Sequence, residues 1–474
     1  MRISIIFLLT NIFCGISYSF FPPLFPKIKL KIQLNQTLIG LIISLFALSY
    51  TITIALAPYL YKNCTLYKYF NISFISEAIC FLLYGYFDSL NLLSIILIII
   101  LRIIHGCCCG IKRTLIISLA LSISKKDNSE VSLEYHEVGW YLGTLFGPLV
   151  SSIFYKLGGY SLPFIVLGFL IYSSKCLNIQ LEQERIEIQE DNGDNLPNLK
   201  YLFYSDNKMI LGSLLLGVIA QTFYYPCLTI YLKQIFNLPV TISCLFFIIE
   251  SATYLISNQF LNKMNKQTQL YSISFLGLSL LSLGIVMIYP FSPISPKILF
   301  VIVGLALIGI GNAFIFIPGL SLLSNNIKRI HLNIDIFTLN EITSSIINLT
   351  FGVGSFLGPS IGGLLTCYFK FKYCCLILSI IIGIYCIMFF INFGKLILNR
   401  ENDAINVDNS LITVEEEELS YSNIYIHKDI DSSLLSNKFG KKHSFSKINT
   451  NKEELIEYQY FSLSDEEELI NINN

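Results

Sequence analysis

A polypeptide that crosses a bilayer must satisfy every backbone N–H and C=O within itself, which leaves helices and closed barrels. This sequence is built of long apolar runs, each near the roughly 20 residues that span hydrocarbon as a helix. Twelve follow one another: residues 3–25, 38–61, 69–87, 92–111, 137–155 and 160–174, then 209–232, 240–261, 270–290, 298–323, 342–366 and 373–393. Only 14% of the chain is charged and 54% is hydrophobic, against about 25% charged in a soluble domain. The expected fold is an all-α integral membrane protein of twelve transmembrane helices in two six-helix bundles. Residues 1–174 form the first bundle, 175–208 a polar cytoplasmic loop, 209–394 the second bundle, and 395–474 a disordered cytoplasmic tail rich in charge, Asn and Ser. The net charge is zero and the body has no basic patch, so nucleic acid is not an expected partner.

Two stretches repeat. EVGWYLGTLFGP ends at Pro148 and NLTFGVGSFLGP at Pro359, so Gly143 and Gly147 align with Gly354 and Gly358. Gly139 extends the first stripe, and Gly362 with Gly363 extends the second past its proline. Small residues four apart let a neighbouring backbone approach closely, and a proline inside the span kinks the helix. Either copy alone serves helix packing equally well. Matching Gly/Pro-interrupted spans in two halves, however, mark a carrier built from repeats.

The flanks are read in the same way. Lysine and arginine in short loops collect on the cytoplasmic side, and Lys62, Lys68, Lys112, Arg113, Lys125, Lys126, Lys263, Lys266, Lys328 and Arg329 place both ends inside. Lys27, Lys29 and Lys31 in the first outer loop run against that count. The first run has no small-residue cleavage site and is expected to stay as a span. Most of the thirteen cysteines lie inside apolar runs without metal-site spacing, so they are expected to pack as small hydrophobes. No metal or cofactor is expected, and no nucleophile–base set or phosphate loop suggests an enzyme.

Ionisable residues inside a span are costly and usually face a bundle interior or an aqueous path. Arg102 and His105 stand in the fourth run, Glu77 in the third, Glu137 at the head of the fifth and Glu250 near the middle of the eighth. Glu341 borders the eleventh, and Glu77 and Glu341 could instead lie at the membrane surface. Asn348 is the counterpart of Glu137 in the second copy, an amide facing an acid in a symmetric scaffold. A carboxyl group withdrawn from water holds a proton more readily and can trade it for a cation, or it can pair with Arg102.

These motifs resemble the major facilitator superfamily. LRIIHG at residues 101–106, the glycine stripe ending in Pro148, and GGYSLPFIVLG at 158–168 occur in the family's order, with GIGNAFIFIP at 309–318 and GSFLGPSIGGLL at 354–365 in the second half. Within it the chain is similar to the vesicular amine transporters, in particular a polyamine transporter-like branch. The resemblance implies that Arg102 and Gly106 belong to the fourth-span motif and that Gly143–Pro148 is the antiporter motif of the fifth. Departures are clear: the loop signature after the second span has become YKNCTLYKYF, the first span has no acid, and Asn348 replaces an acid of the monoamine carriers. A polyamine-like organic cation is therefore favoured over a monoamine.

The expected function is secondary transport by alternating access, exchanging protons for an organic cation, with Glu137 and Glu250 as binding groups tuned by Arg102 and His105. Its rivals are a facilitator of a neutral nutrient and a non-transporting receptor or scaffold. The acidic dileucine-like stretch Asp465 to Leu469-Ile470, near Tyr458, resembles sorting signals read by coat adaptors. It favours a vesicular or endolysosomal membrane.

Overall fold

The computed structural model describes residues 2–24, 35–60, 66–86, 92–127, 131–174, 205–261, 267–289, 296–330 and 336–398. These form thirteen helices: α1 (Arg2–Leu24), α2 (Gln36–Leu60), α3 (Leu66–Tyr86), α4 (Leu92–Asp127), α5 (Val131–Gly158) and α6 (Ser161–Ser174), then α7 (Ser205–Thr222), α8 (Leu228–Phe236), α9 (Val240–Leu261), α10 (Gln267–Ile288), α11 (Ile298–Ile330), α12 (Ile336–Tyr368) and α13 (Phe371–Leu398). Every apolar run of the sequence falls on a helix, and the seventh is divided between α7 and α8. Seven helices are long and apolar enough to cross a membrane by length and composition, and two shorter apolar helices, Leu8–Leu24 and Ser161–Ser174, join them. The central loop, the tail with Asp465, Leu469 and Ile470, and the first outer loop lie outside the described residues.

In the first half, α1 packs on α5, α2 on α4, and α3 on α4 and α6. In the second, α7 packs on α11 and α12, α9 on α11, and α10 on α11 and α13. The halves meet chiefly where α2 lies on α12 and α5 on α9. Both glycine stripes face the first helix of their own half. A methyl group on Gly143 would run into the Ile12 carbonyl and sit 2.7 Å from the Gly15 Cα, and Gly147 lies against Ser19. In the second half Gly354 lies against Val218 and Gly358 against Thr222. Gly363 faces across the halves, with Gly40 as its neighbour.

Two boundaries differ from expectation. Helix α4 does not end at the first basic pair but continues for 36 residues. Lys112 and Arg113 are 1% and 6% exposed, so they are core groups and leave the count of loop charges. A hydropathy reading stops at such residues because it cannot see the partners that let them be buried. The second difference is the break at 223–227, between α7 and α8. Pro226 has no N–H to continue the helix. The Pro226 carbonyl accepts from Gln36 Nε2 of α2 at 2.6 Å, the kind of partner that irregular backbone within a membrane requires.

The glycine contacts give a test with opposite signs. Gly143→Ala should destabilise the protein by about 1–3 kcal/mol, since backbone atoms of α1 cannot yield independently. Gly383→Ala, whose methyl would meet only Ser282 Oγ at 3.6 Å, should be neutral or gain up to about 1 kcal/mol of helix propensity. Thermal unfolding in detergent reads both.

Candidate functional site

Helix α4 presents Arg102, His105 and Lys112 along one side toward α3, because residues three and seven apart share a helix face. All three are buried, as is Glu77 of α3. Lys112 Nζ donates to Glu77 Oε2, and Glu77 Oε1 lies 3.4 Å from His105 Nε2. Arg102 Nη1 lies 3.4 Å from His105 Nδ1. A guanidinium can only donate, so Nδ1 is the acceptor and the ring proton sits on Nε2, toward Glu77. Aromatic rings close the site: Phe46 and Phe81 lie edge-on to the imidazole at 4.7 and 4.9 Å. Arg102 lies 3.7 Å from the Phe21 ring centroid and 5.4 Å from that of Phe46.

Glu77, His105 and Cys109 also bring ligand atoms within 4.8 Å of one another. The tautomer argues against a metal there, since Nε2 carries a proton and Lys112 holds the other carboxylate oxygen. Glu77 Oε1 and His105 Nε2 face each other without a hydrogen bond, so the set is a buried charge cluster held by the Lys112–Glu77 and Arg102–His105 contacts. It corrects the surface alternative for Glu77, which is fully buried. It also means that Arg102 and His105 are joined to Glu77 rather than to Glu250.

The second half holds a different charge. Glu250, midway along α9, is 3% exposed, and the Tyr224 hydroxyl donates to its Oε2. Gln221 and Asn312 lie close enough to act on the same carboxylate. Among the described residues no lysine, arginine or histidine forms an ion pair with it. Tyr224 belongs to the break at 223–227, so the carboxylate sits beside an interrupted helix.

Glycine contacts superpose this site on the first half. A methyl on Gly106 would run into Ser49 Oγ and the Phe46 carbonyl, and one on Gly309 into Thr253 Oγ1 and the Glu250 carbonyl. The hydroxyls repeat their bonds: Ser49 to the carbonyls of Leu45 and Phe46, Thr253 to those of Ile249 and Glu250, all at 3.0 Å. Gly147 against Ser19 likewise matches Gly358 against Thr222. Phe46 therefore corresponds to Glu250, Phe21 to Tyr224, Tyr18 to Gln221, Cys109 to Asn312 and Arg102 to Leu305. In the first half a guanidinium lies over Phe21 and Phe46. In the second, Leu305 supplies no charge, and a phenol and a carboxylate replace the two rings.

Aromatic side chains line the way from this site to the opposite half. The Tyr18 hydroxyl donates to Ser355 Oγ at 3.3 Å, and its phenol interacts with that of Tyr225. Trp140 packs against Tyr18 and Phe351 at 5.3 and 5.9 Å. Beyond it Arg113 lies 4.5 Å from the Trp140 ring centroid and donates Nε–H to Asn348 Oδ1 at 3.1 Å, joining α4 to α12. Tyr141 stacks on Tyr254 at 3.6 Å between α5 and α9. The side chains of Glu137 and Glu341 lie outside the described residues. Sequence reasoning missed Lys112, Tyr224, Gln221 and Asn312. SFFPP at 19–23 and TFYYP at 222–226 were the signal that could have aligned the halves at this site.

A profile of the Major Facilitator Superfamily matches residues 7–338. The chain belongs to the major facilitator superfamily. It is thus a multi-pass membrane transporter of the secondary class rather than an enzyme. The chain is 24% identical over 364 residues to the mouse MFS-type transporter SLC18B1, covering 75% of this chain and 78% of that protein. The human protein of the same name is 24% identical over 362 residues, covering 73% and 76%. Among solved structures, the nucleoside transporter NupG aligns with a TM-score of 0.60 at 14% identity, covering 83% of this chain and 99% of that one. An inward-facing, occupied bacterial homologue of the human lysosomal transporter Spinster aligns at 0.58 and 11%, covering 82% and 95%. These two likenesses concern the fold.

The charge network makes a clear mutational forecast. Glu77→Gln or Lys112→Met alone leaves a buried charge uncompensated and should cost about 3–5 kcal/mol. The double variant should recover most of that loss. Unfolding of the purified proteins in detergent, arranged as a double-mutant cycle, reads the coupling.

Proposed function

We propose that this major facilitator transporter exchanges protons for an organic cation of polyamine-like kind, with Glu250 as the group that accepts each in turn. The observation carrying this reading is that Glu250 is buried and, among the described residues, has only neutral partners, where the first half holds Arg102. A buried carboxylate without a counter-ion is strongly disfavoured. It therefore crosses the membrane either protonated or paired with a cation, and a group that must hold one of two ligands performs exchange. The rings of Tyr18, Tyr224 and Tyr225 suit the methylene chain and charged nitrogens of an alkylammonium substrate.

Alternating access would work through two bundles, residues 1–174 and 209–394. At the end where α1 terminates, Gln36 to Pro226 and Thr229 to the Pro23 carbonyl at 3.3 Å form one seal. The Arg113–Asn348 contact and the Tyr141–Tyr254 stack form the other. The glycine stripes would keep α5 and α12 rigid on their own halves while these seals open in alternation. Glu137, on the fifth span, remains a second proton or cation candidate. The dileucine-like stretch in the tail and the likeness to a homologue of a lysosomal transporter support a vesicular or endolysosomal membrane, with coat adaptors as partners of the tail.

The test is uptake of labelled spermidine into proteoliposomes with an acid interior. Losing one charged hydrogen-bond partner is worth about 1.5–3 kcal/mol, so Glu250→Gln should lower gradient-driven uptake by about tenfold to a hundredfold. Full uptake by that variant would reject Glu250 as the exchanging group. No uptake by folded wild-type protein would reject spermidine as substrate, and a blank result from a wider substrate screen would favour the scaffold reading.

A further inference from the structure

Several buried polar atoms around Glu250 have no partner within the protein. Asn312 is 1% exposed, yet its Oδ1 accepts no hydrogen bond, and Gln221 Oε1 accepts none either. Buried polar atoms in native proteins are nearly always satisfied, so orphan oxygens beside a carboxylate with no cationic partner point to a ligand. Both residues face a carboxylate that itself has no cationic partner among the described residues.

The donor set narrows the class of ligand. It consists of a carboxylate, two amide carbonyls and the hydroxyl of Tyr224, all oxygen. Hard cations take such ligands, whereas softer metals favour sulfur and imidazole. One negative charge balances a monovalent ion, while a divalent ion would leave a positive charge buried.

Position narrows it further. The ligands come from α7, the break after it, α9 and α11, all within one half. The α9 and α11 backbones touch at Gly309, and Asn312 packs on Gly217, whose added methyl would lie 2.8 Å from its Oδ1. Such close packing leaves room among these four groups for an atom-sized ligand. In the first half the equivalent place holds the guanidinium of Arg102.

We propose that Glu250, Gln221, Asn312 and Tyr224 form a sodium site, in which Na+ and the organic cation compete for one carboxylate. The proposal rests on the reading of Glu250 as the cation acceptor. It adds that sodium on the substrate's side inhibits uptake and that sodium on the opposite side drives it.

The experiment is thermal unfolding of the full chain in detergent, without organic substrate, in NaCl, KCl or choline chloride at constant ionic strength. The melting temperature should climb with the logarithm of sodium concentration, as binding to the folded state requires, and stay level in potassium and choline. Gln221→Leu and Asn312→Leu should each flatten the sodium response. An equal wild-type response to all three salts overturns the site whatever the variants do, and the orphan amides would then hold water. Spermidine uptake in sodium-free buffer reports the parent reading separately. Uptake lost in Glu250→Gln without a sodium response leaves transport standing and removes the ion. A sodium response with no uptake does the reverse.

Discussion

Placing charges inside hydrocarbon obliges the protein to supply what water would otherwise supply, and the two halves of this transporter meet that obligation in opposite ways. The first half sets its charges against one another. Lys112 and His105 engage Glu77, Arg102 engages His105, and aromatic rings cover the positive charges. The second half leaves one obligation open, since Glu250 meets a phenol and amides but no cation among the described residues. A duplicated scaffold thus carries a carboxylate paired with a lysine in one half and, in the other, one with no cation beside it among the described residues.

That scaffold explains how the difference arises. The glycines that let α4 touch α2 and α11 touch α9 hold the same neighbours at the same register. Any side chain in one half therefore has a definite partner position in the other. Exchanging Phe46 for Glu250 and Arg102 for Leu305 moves the charge from one helix to another and reverses its sign. The break beside Tyr224 then places the carboxylate's hydrogen-bond donor on a segment that is also tied to α2 through Gln36.

Much of this was legible in the sequence, and the limits are instructive. Apolar runs of bilayer length located the helices of the described residues, because a bilayer leaves the backbone so few options. The Gly143 and Gly354 stripes announced a duplication that the packing repeats. Glu250 stood out because a mid-span acid has so few reasons to exist. What stayed hidden were pairings. Lys112 looked like a loop residue because its partner, Glu77, is 35 positions away. Gln221 and Asn312 looked like incidental polar residues because an amide draws attention only once its unpaired atoms are seen beside a carboxylate. The division at 223–227 was concealed by continuous hydrophobicity, although Pro226 stood inside it.

The central claim, that the second half works because it lacks the cation the first half carries, is tested most directly by supplying that cation. Leu305→Arg places a guanidinium where Arg102 stands in the other half, within reach of Tyr224 and Glu250. Spermidine uptake by this variant in acid-interior proteoliposomes should vanish, while its melting temperature equals or exceeds that of the wild type because the carboxylate has gained a permanent partner. Undiminished uptake by the folded variant would contradict the account, since the carboxylate would then be paired and the transporter still at work.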